Sequence, residues 1–396
     1  MKKTINTLLI LLLAGTSPLS VAGEENIPEP FRGDDPNSTL EVAYDDLNAL
    51  LSSYVTVSGW STREKAPRPD AGVGTRLKTR INRLTAQEGN RFYFKGASEK
   101  DLIAEFISDI RASLEMLPAE VPLRLLNKNE QLAYWLNLYN FTLLDEMMKV
   151  YPKHNLLRVL DYGDDDSIMA QKLLNVAGVP LSLDDIQFTI LKEKYFGNPL
   201  IIYGLWQGNI GGPSLRSTAY TGKTVWRKLE DNAGEFINSN RGTYFDGEVS
   251  ALYERNMPFF DNDQAKLISH LMDYLQGDMF DEYANRDDVE FEMEDWTLAA
   301  LIGEGRKYGR SAATNGAAML DAVVATQPGE AFGDTVAIQN YLAEDNIMKT
   351  PVNFRFSEAQ LEILQKLRTK HEVSMGRVEV TDLDEEEATE DKKQNN

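Results

Sequence analysis

The sequence contains no cysteine and three histidines, His154, His270 and His371. The absence of cysteine excludes thiol nucleophiles, disulfides, thiolate zinc sites, iron–sulfur clusters and covalently attached c-type haem. Three histidines so widely separated also argue against a histidine-rich metal centre. We therefore expect neither a metal nor a cofactor in this protein.

Basic residues are in the minority, because 41 Lys and Arg stand against 62 Asp and Glu for a formal net charge of −21. A surface this acidic repels phosphate backbones, so we expect no nucleic-acid partner. Apolar residues make up 42% of the chain, and 5 Trp, 16 Tyr and 16 Phe are present. This is the composition of a globular protein rather than a disordered one.

Long apolar runs are also missing, and the one short run lies near the amino terminus. Lys2 and Lys3 precede the apolar residues 8–14, and the small-residue stretch 20–22 comes directly before Gly23. This order is typical of a bacterial Sec signal peptide, and the run is far shorter than the ~20 residues that span a bilayer. We expect cleavage after Ala22 and a periplasmic or secreted protein without a membrane span.

Composition also suggests how the chain is organised. The stretch after the signal peptide is rich in Pro, Gly and charge, and 379–391 holds eight acidic residues. The predicted parts are a signal peptide (1–22), a flexible N-terminal tether (23–38), a main domain (39–280), a mainly helical C-terminal extension (281–377) and an acidic disordered tail (378–396).

Apolar periodicity predicts several helices. Apolar stripes run from Asp101 onward and through 267–275, and Ser357 with Gln360 forms a capping box that opens a third helix. His270 lies off the stripe of the second helix, so we expect it to be solvated. Short apolar runs at 92–94 and 200–203 predict strands, and a turn at 246–247 predicts a hairpin.

The segment 131–151 is apolar on all sides, which indicates a helix buried in the centre of the domain. We therefore predict an α+β fold, with a helix-rich domain around this buried central helix and a small antiparallel sheet. Asn137 and Asn140 are three positions apart and point to one side of the helix. A buried amide left unpaired costs ~1–3 kcal/mol, so each needs fixed partners. They could orient a substrate or bind a neighbouring strand or loop.

Several motifs occur in an order that resembles a known family. They are Trp135-x-Asn137-x-Tyr139-Asn140, then the Ser-Leu-Asp-Asp-Ile run at 182–186, then 199–216 with its Pro-Ser-Leu-Arg end. The set is similar to domain-of-unknown-function family 547, over roughly residues 40–265. The resemblance implies no established reaction.

The chain departs from the family at its reactive-looking positions. By the resemblance, Gln207 and Gly212 stand where the family has cysteine, and Ile202 and Phe188 stand where it has histidine. A cysteine beside a histidine can form a thiolate nucleophile, and this chain has neither residue at these positions. The resemblance therefore suggests a divergent member without that chemistry.

Two hypotheses follow. In the first, the protein is a non-catalytic binding or interaction module for an envelope ligand or protein. In the second, it is an envelope-acting hydrolase or transferase that uses Asp, Tyr, Asn and Arg groups. No residue is assigned a catalytic role. The candidate residues, lining a cleft or forming a structural network, are Trp135, Asn137, Tyr139, Asn140, Asp185, Tyr203, Gln207 and Arg216.

Two local features leave further alternatives open. The oxygen-rich turns at 161–166 and 261–263 could hold calcium weakly, although neither has EF-hand spacing. The basic, glycine-rich stretch 303–310 could bind an anion or could end a solvated helix.

Overall fold

The computed structural model describes residues 24–67, 82–98, 101–301 and 351–374. The predicted signal peptide, the acidic tail and the basic stretch 303–310 lie outside these residues. The α-helices are Asp45–Tyr54 (α1), Phe94–Ser98 (α2), Asp101–Glu120 (α3), Lys128–Val150 (α4), Leu157–Leu160 (α5), Lys192–Lys194 (α6), Val225–Ile237 (α7), Ala251–Arg255 (α8), Gln264–Met272 (α9), Asp278–Tyr283 (α10), Pro351–Arg355 (α11) and Glu358–Ser374 (α12).

Shorter helical turns join these elements. The 3₁₀ helices are Glu29–Phe31, Leu123–Leu125, Pro199–Gly204, Phe245–Gly247 and Met257–Phe260, and Asp185–Leu191 forms a π-helix. The strands are Val55–Thr56 (β1), Arg91–Phe92 (β2), Leu174–Val176 (β3), Val179–Leu181 (β4), Glu248–Ser250 (β5) and Glu290–Met293 (β6).

The described strands form three two-stranded sheets. β1–β2 and β3–β4 pair antiparallel, whereas β5 and β6 pair parallel. The predicted α+β, helix-rich fold is confirmed, although part of its sheet structure is parallel. The strand predicted at 200–203 is wrong. Pro199 opens a 3₁₀ helix there instead, and the Asn198 side chain caps it by accepting the Leu200 N–H at 3.0 Å.

Helix α4 is the centre of the fold. Its first turn is capped by Asn127, whose side chain accepts the Glu130 N–H at 3.0 Å. From Leu132 to Leu144 every side chain is buried. This confirms the prediction of a helix that is apolar on all sides because it is covered on all sides.

The helix α3, with its predicted apolar stripe, packs beside α4, and Tyr134 donates its hydroxyl hydrogen to the Leu114 carbonyl at 3.0 Å. The stripe predicted at 267–275 forms α9. The capping box that opens α12 is also present, because Ser357 donates its N–H to Gln360 Oε1 at 3.0 Å.

The N-terminal segment is packed, so the flexible tether predicted for 23–38 is wrong over its described part. Ile27 and Phe31 are fully buried, and Phe31 meets the edge of the Trp135 ring at 5.0 Å. The buried Lys194 ammonium donates to the carbonyls of Phe31 at 2.7 Å and Gly33 at 2.9 Å. Two apolar residues within a polar stretch are enough to anchor it.

The described C-terminal helices also pack into the body. Arg355 and Asp46 are both fully buried, and Arg355 Nη2 lies 2.9 Å from Asp46 Oδ2. The same guanidinium donates to the Ala43 carbonyl at 3.0 Å and to the Ser113 hydroxyl at 3.2 Å. This pair ties α11 to α1 and α3.

We predict that Arg355→Ala lowers the free energy of unfolding by about 3–5 kcal/mol, because it leaves the Asp46 carboxylate buried without a cation. Denaturant unfolding monitored by circular dichroism measures the change. Lys223→Ala is the control, since Lys223 forms an exposed ion pair with Glu41 and should change stability little. Equal effects of the two substitutions would contradict the prediction.

Candidate functional site

Asn137 and Asn140 both bind loop backbone with both ends of their amides. Asn137 donates Nδ2–H to the Tyr220 carbonyl and accepts the Tyr220 N–H, each at 2.9 Å. Asn140 donates to the Gly204 carbonyl and accepts the Trp206 N–H, again at 2.9 Å. We call these two pairings the asparagine clamps. Of the two roles left open by the sequence, this geometry is the binding of a neighbouring loop.

Arg216 belongs to a network that adjoins the first clamp. Its Nη1 donates to Asn232 Oδ1 at 2.6 Å and to the Lys228 carbonyl at 3.1 Å. Asn232 in turn donates to the Tyr203 carbonyl at 2.9 Å and to Tyr220 Oη at 3.1 Å. Arg216 therefore attaches the loop to α7 and is held by packed groups.

Gln207 and Tyr139 belong to a second network. Tyr162 donates its hydroxyl hydrogen to Gln207 Oε1 at 2.5 Å, and Gln207 Nε2 donates to the Leu205 carbonyl at 3.0 Å and to Tyr139 Oη at 3.4 Å. Burial raises the pKa of both phenols above their ordinary range, so they remain neutral hydroxyl groups. Neither can serve as a base near neutral pH.

Asp185 and Trp135 have other partners. Asp185 Oδ2 accepts from the Ser182 N–H at 2.7 Å and the Ser182 hydroxyl at 2.9 Å, and it also pairs with Lys172. Ser182 Oγ accepts the Asp185 N–H at 3.1 Å in return, so the two residues form a capping box at the start of the helical segment that contains the π-helix. Trp135 packs against Phe31 and its indole N–H is buried without a hydrogen-bond partner. The predicted candidate residues are therefore divided among separate networks.

The two positions at which the resemblance places cysteine lie side by side. A Cβ atom at Gly212 would stand 2.8 Å from Gln207 Cβ and 3.0 Å from Asn209 Oδ1. Phe188, one of the two positions at which the resemblance places histidine, is linked to this pair through Arg255. The Arg255 Cζ atom lies 5.3 Å from the centroid of the Phe188 ring and 4.0 Å from that of Tyr162, whose hydroxyl binds Gln207. The other, Ile202, is fully buried.

These positions border a small pocket of about 30 Å³, which we call the Gln207 pocket. Asn209 is 7% exposed, and its Oδ1 has no hydrogen-bond partner. Sequence reasoning identified only part of the lining, because the rest comes from distant segments that no sequence spacing relates. The pocket lining includes Tyr162, Gln207, Asn209, Gly212, Ser250, Glu294, Asp295 and Trp296.

The Gln207 pocket offers hydrogen-bond acceptors and rings rather than a nucleophile paired with a base. Ser250 accepts the Leu252 N–H at 3.2 Å and donates to the Gly211 carbonyl at 3.5 Å, so its partners are backbone groups. Asp295 accepts from the Thr85 hydroxyl and from the Thr297 N–H at 3.0 Å. Such an arrangement suits binding better than covalent catalysis.

A second pocket of about 660 Å³ lies at the start of α4. Burial raises the pKa of its Glu130 carboxyl to about 7. Glu130 Oε2 accepts the Val42 N–H at 3.4 Å, and a Cβ at Gly222 would stand 2.3 Å from Glu130 Oε1. A larger residue at 222 would therefore displace the Glu130 side chain. Sequence patterns indicated nothing of this site beyond Glu130 preceding the buried run.

His270 is not solvated, contrary to the expectation from its helix. Its ring stacks on Tyr203 with centroids 5.7 Å apart, and Nε2 lies 3.0 Å from Tyr203 Oη. Burial lowers its pKa to about 4, against a smaller opposite effect of Asp273. The polar side of α9 faces an aromatic cluster that includes Phe260 and Tyr274.

Within the described ranges, no group of three or more acidic or histidine side chains could hold a metal ion. The described part of the turns at 161–166 and 261–263 is included in this finding, and Asp261 pairs with Lys266. In the same residues no helix is both long and apolar enough to span a bilayer.

We predict that His270 contributes a loss of stability as the pH falls from 6.5 towards 4, and that His270→Gln removes this contribution of up to about 3 kcal/mol relative to the wild type. The unfolded chain binds a proton at His270 near pH 6.5, whereas the folded chain resists it down to about pH 4. Denaturant unfolding at several pH values measures the slope. His154→Gln, at an exposed position, is the control, and an unchanged slope in His270→Gln would contradict the prediction.

Comparison with known proteins agrees with the motif order. Residues 123–237 match the sequence model of the family described as Protein of unknown function, DUF547. The matched region contains both asparagine clamps and Gln207, Asn209 and Gly212 of the pocket. Comparisons with curated proteins and with solved structures gave no match. Residues 123–237 are therefore similar to the DUF547 family of unknown function.

Proposed function

We propose that the protein is an exported, non-catalytic binding module for an envelope ligand or protein, built on the DUF547 scaffold. The observation that carries the proposal is the Gln207 pocket. At the positions where the resemblance places cysteine and histidine, this chain has an amide, a glycine and two apolar side chains. The pocket is present in this chain, and the Ser250 hydroxyl in its lining has backbone partners rather than a base.

The packing of the candidate residues supports the same proposal. The asparagine clamps bind backbone groups through both ends of each amide, so the two amides are oriented towards the loop rather than towards a ligand. Arg216 is likewise engaged with α7. These residues support the loop that carries Gln207, and that loop presents the pocket.

The alternative, an envelope-acting hydrolase or transferase, needs Asp185, Tyr203, Gln207 and Arg216 to converge on one cleft with Asn137. Each of these side chains has partners of its own. Asp185 forms a capping box with Ser182, and the Tyr203 hydroxyl contacts Tyr253 at 3.3 Å and His270. The geometry therefore favours binding over this form of catalysis.

Export is part of the proposal and is supported by the sequence of residues 1–22. Two lysines, a short apolar run and small residues before Gly23 have the order that signal peptidase recognises. The mature protein would then act in the periplasm or outside the cell.

We expect expression in a bacterial host to yield a periplasmic or secreted chain that begins at Gly23. Cell fractionation and N-terminal mass spectrometry measure both properties. Ala22→Tyr replaces the small residue at the cleavage position and should leave the precursor uncleaved. A chain recovered in the cytoplasm with residues 1–22 intact would contradict export.

We also expect Asn137→Ala to lower the free energy of unfolding by about 2–4 kcal/mol, because it leaves the buried N–H and carbonyl of Tyr220 unpaired. Arg216→Ala should destabilise in the same direction. Asn129→Ala is the matched control, since the Asn129 amide accepts an exposed hydrogen bond from Trp226. Its effect should be within about 0.5 kcal/mol.

The same preparations test for catalysis. Purified wild-type protein incubated with peptidoglycan sacculi should release no soluble sugar or peptide. Turnover that disappears in Asp185→Ala, while circular dichroism shows that this variant remains folded, would contradict the non-catalytic proposal and favour the enzyme alternative.

A further inference from the structure

We propose that the Gln207 pocket binds the end of an unbranched primary ammonium group, such as that of a lysyl side chain. The inference rests on the proposed function as a binding module and names the ligand chemistry of that same site. It follows from the shape of the pocket, from its unpaired acceptor and from its rings.

Gly212 packs closely against the wall of the pocket. A Cβ atom there would lie 2.8 Å from Gln207 Cβ, 2.9 Å from Gln207 Cγ and 3.0 Å from Asn209 Oδ1. A larger residue at 212 would therefore displace these two pocket residues. The pocket is partly open, and its 30 Å³ holds one group of about the size of a water molecule. An ammonium group at the end of a methylene chain fits, whereas a branched or ring-bearing head group does not.

The groups that line the pocket favour a ligand that donates hydrogen bonds. Asn209 Oδ1 is buried without a partner, and a buried acceptor in this state is unfavourable unless a ligand or water donates to it. The Gly211 carbonyl accepts a long hydrogen bond, at 3.5 Å, from the Ser250 hydroxyl. The oxygen atoms that border the space therefore favour a ligand with several N–H groups.

The charges favour a cation over a neutral donor. Glu294 and Asp295 both line the pocket. Three arginines lie around the pocket. Arg91 interacts electrostatically with Asp295, and Arg255 lies on the Tyr162 ring and pairs with Asp184. Arg241 donates to the Gly212 carbonyl at 2.7 Å and pairs with Glu235. None of these three side chains lines the pocket. A metal ion is disfavoured, because the described residues gather no three acidic or histidine ligands in one place.

Aromatic rings complete the site. Tyr162 and Trp296 lie 5.6 Å apart at a tilted angle, and both line the pocket. Arg255 covers one face of Tyr162 at 4.0 Å, which leaves the indole of Trp296 as the ring without a cation of its own among the described residues. An ammonium group beside the indole gains a cation–π interaction. The Trp296 N–H donates to Glu294 Oε2 at 3.0 Å, so its NMR signal should change when a ligand binds in the pocket.

The test is a titration of the mature chain, residues 23–396, with ¹⁵N-labelled tryptophan and butylammonium as the probe. The Trp296 indole signal, identified by its loss in Trp296→Phe, should shift in a saturable way with a dissociation constant on the order of millimolar. The indole of Trp60, which is 61% exposed, should not move. 1-Butanol, of the same chain length without charge, and the bulky tetramethylammonium should each bind at least about tenfold more weakly.

A matched set of variants tests the acceptor. Asn209→Leu keeps the size of the side chain, removes its oxygen and should weaken butylammonium binding at least about tenfold. Asn129→Leu, at an exposed position outside the pocket, should leave binding unchanged. Asn209→Asp replaces the amide by a carboxylate and should strengthen binding, with an effect that salt diminishes. This gain keeps the test decisive even if Asn209→Leu does not fold.

No shift of the Trp296 signal with butylammonium, or equal binding of 1-butanol or tetramethylammonium, would overturn the inference. Its failure can be distinguished from failure of the proposed function. Turnover of sacculi would contradict the non-catalytic module, whereas the absence of both turnover and amine binding would remove only the ammonium site.

Discussion

The asparagine clamps are the constraint on which the rest of the matched domain depends. Asn140 holds the backbone at Gly204 and Trp206, and Asn137 holds it at Tyr220, so one turn of α4 fixes both ends of the segment 204–220. That segment carries four residues of the Gln207 pocket, Gln207, Asn209, Gly211 and Gly212. Helix α4 thus fixes the geometry of the pocket, although none of its side chains lines the pocket.

Burial of a loop requires a partner for each of its polar backbone groups. The surface of α4 is apolar, and an amide is the side chain that supplies a donor and an acceptor together to one backbone unit. Each clamp satisfies an N–H and a carbonyl that would otherwise be unpaired. An apolar helix with two amides can therefore cover a loop that carries polar residues, and the loop remains fixed.

Features set by local chemistry could be predicted from the sequence, and features set by tertiary packing could not. The buried helix α4 and the capping box at Ser357 depend on residues within a few turns, and both were predicted. The run at 200–203 fits a strand or a helical turn, and the Asn198 cap before Pro199 decides for the turn. Asp295 and Trp296 reach the pocket only through tertiary structure. The asparagines themselves were recognised, but their partners were not.

The buried Asp46–Arg355 pair sets an order of events as the chain is made. The two residues are 309 positions apart, so Asp46 emerges from the ribosome long before its cation exists. A body that closed early would bury a lone carboxylate, which is strongly unfavourable. The pair can therefore form only after α11 has been synthesised. A chain that stops short of this helix lacks the cation that Asp46 needs, and we expect it to open more readily to proteases.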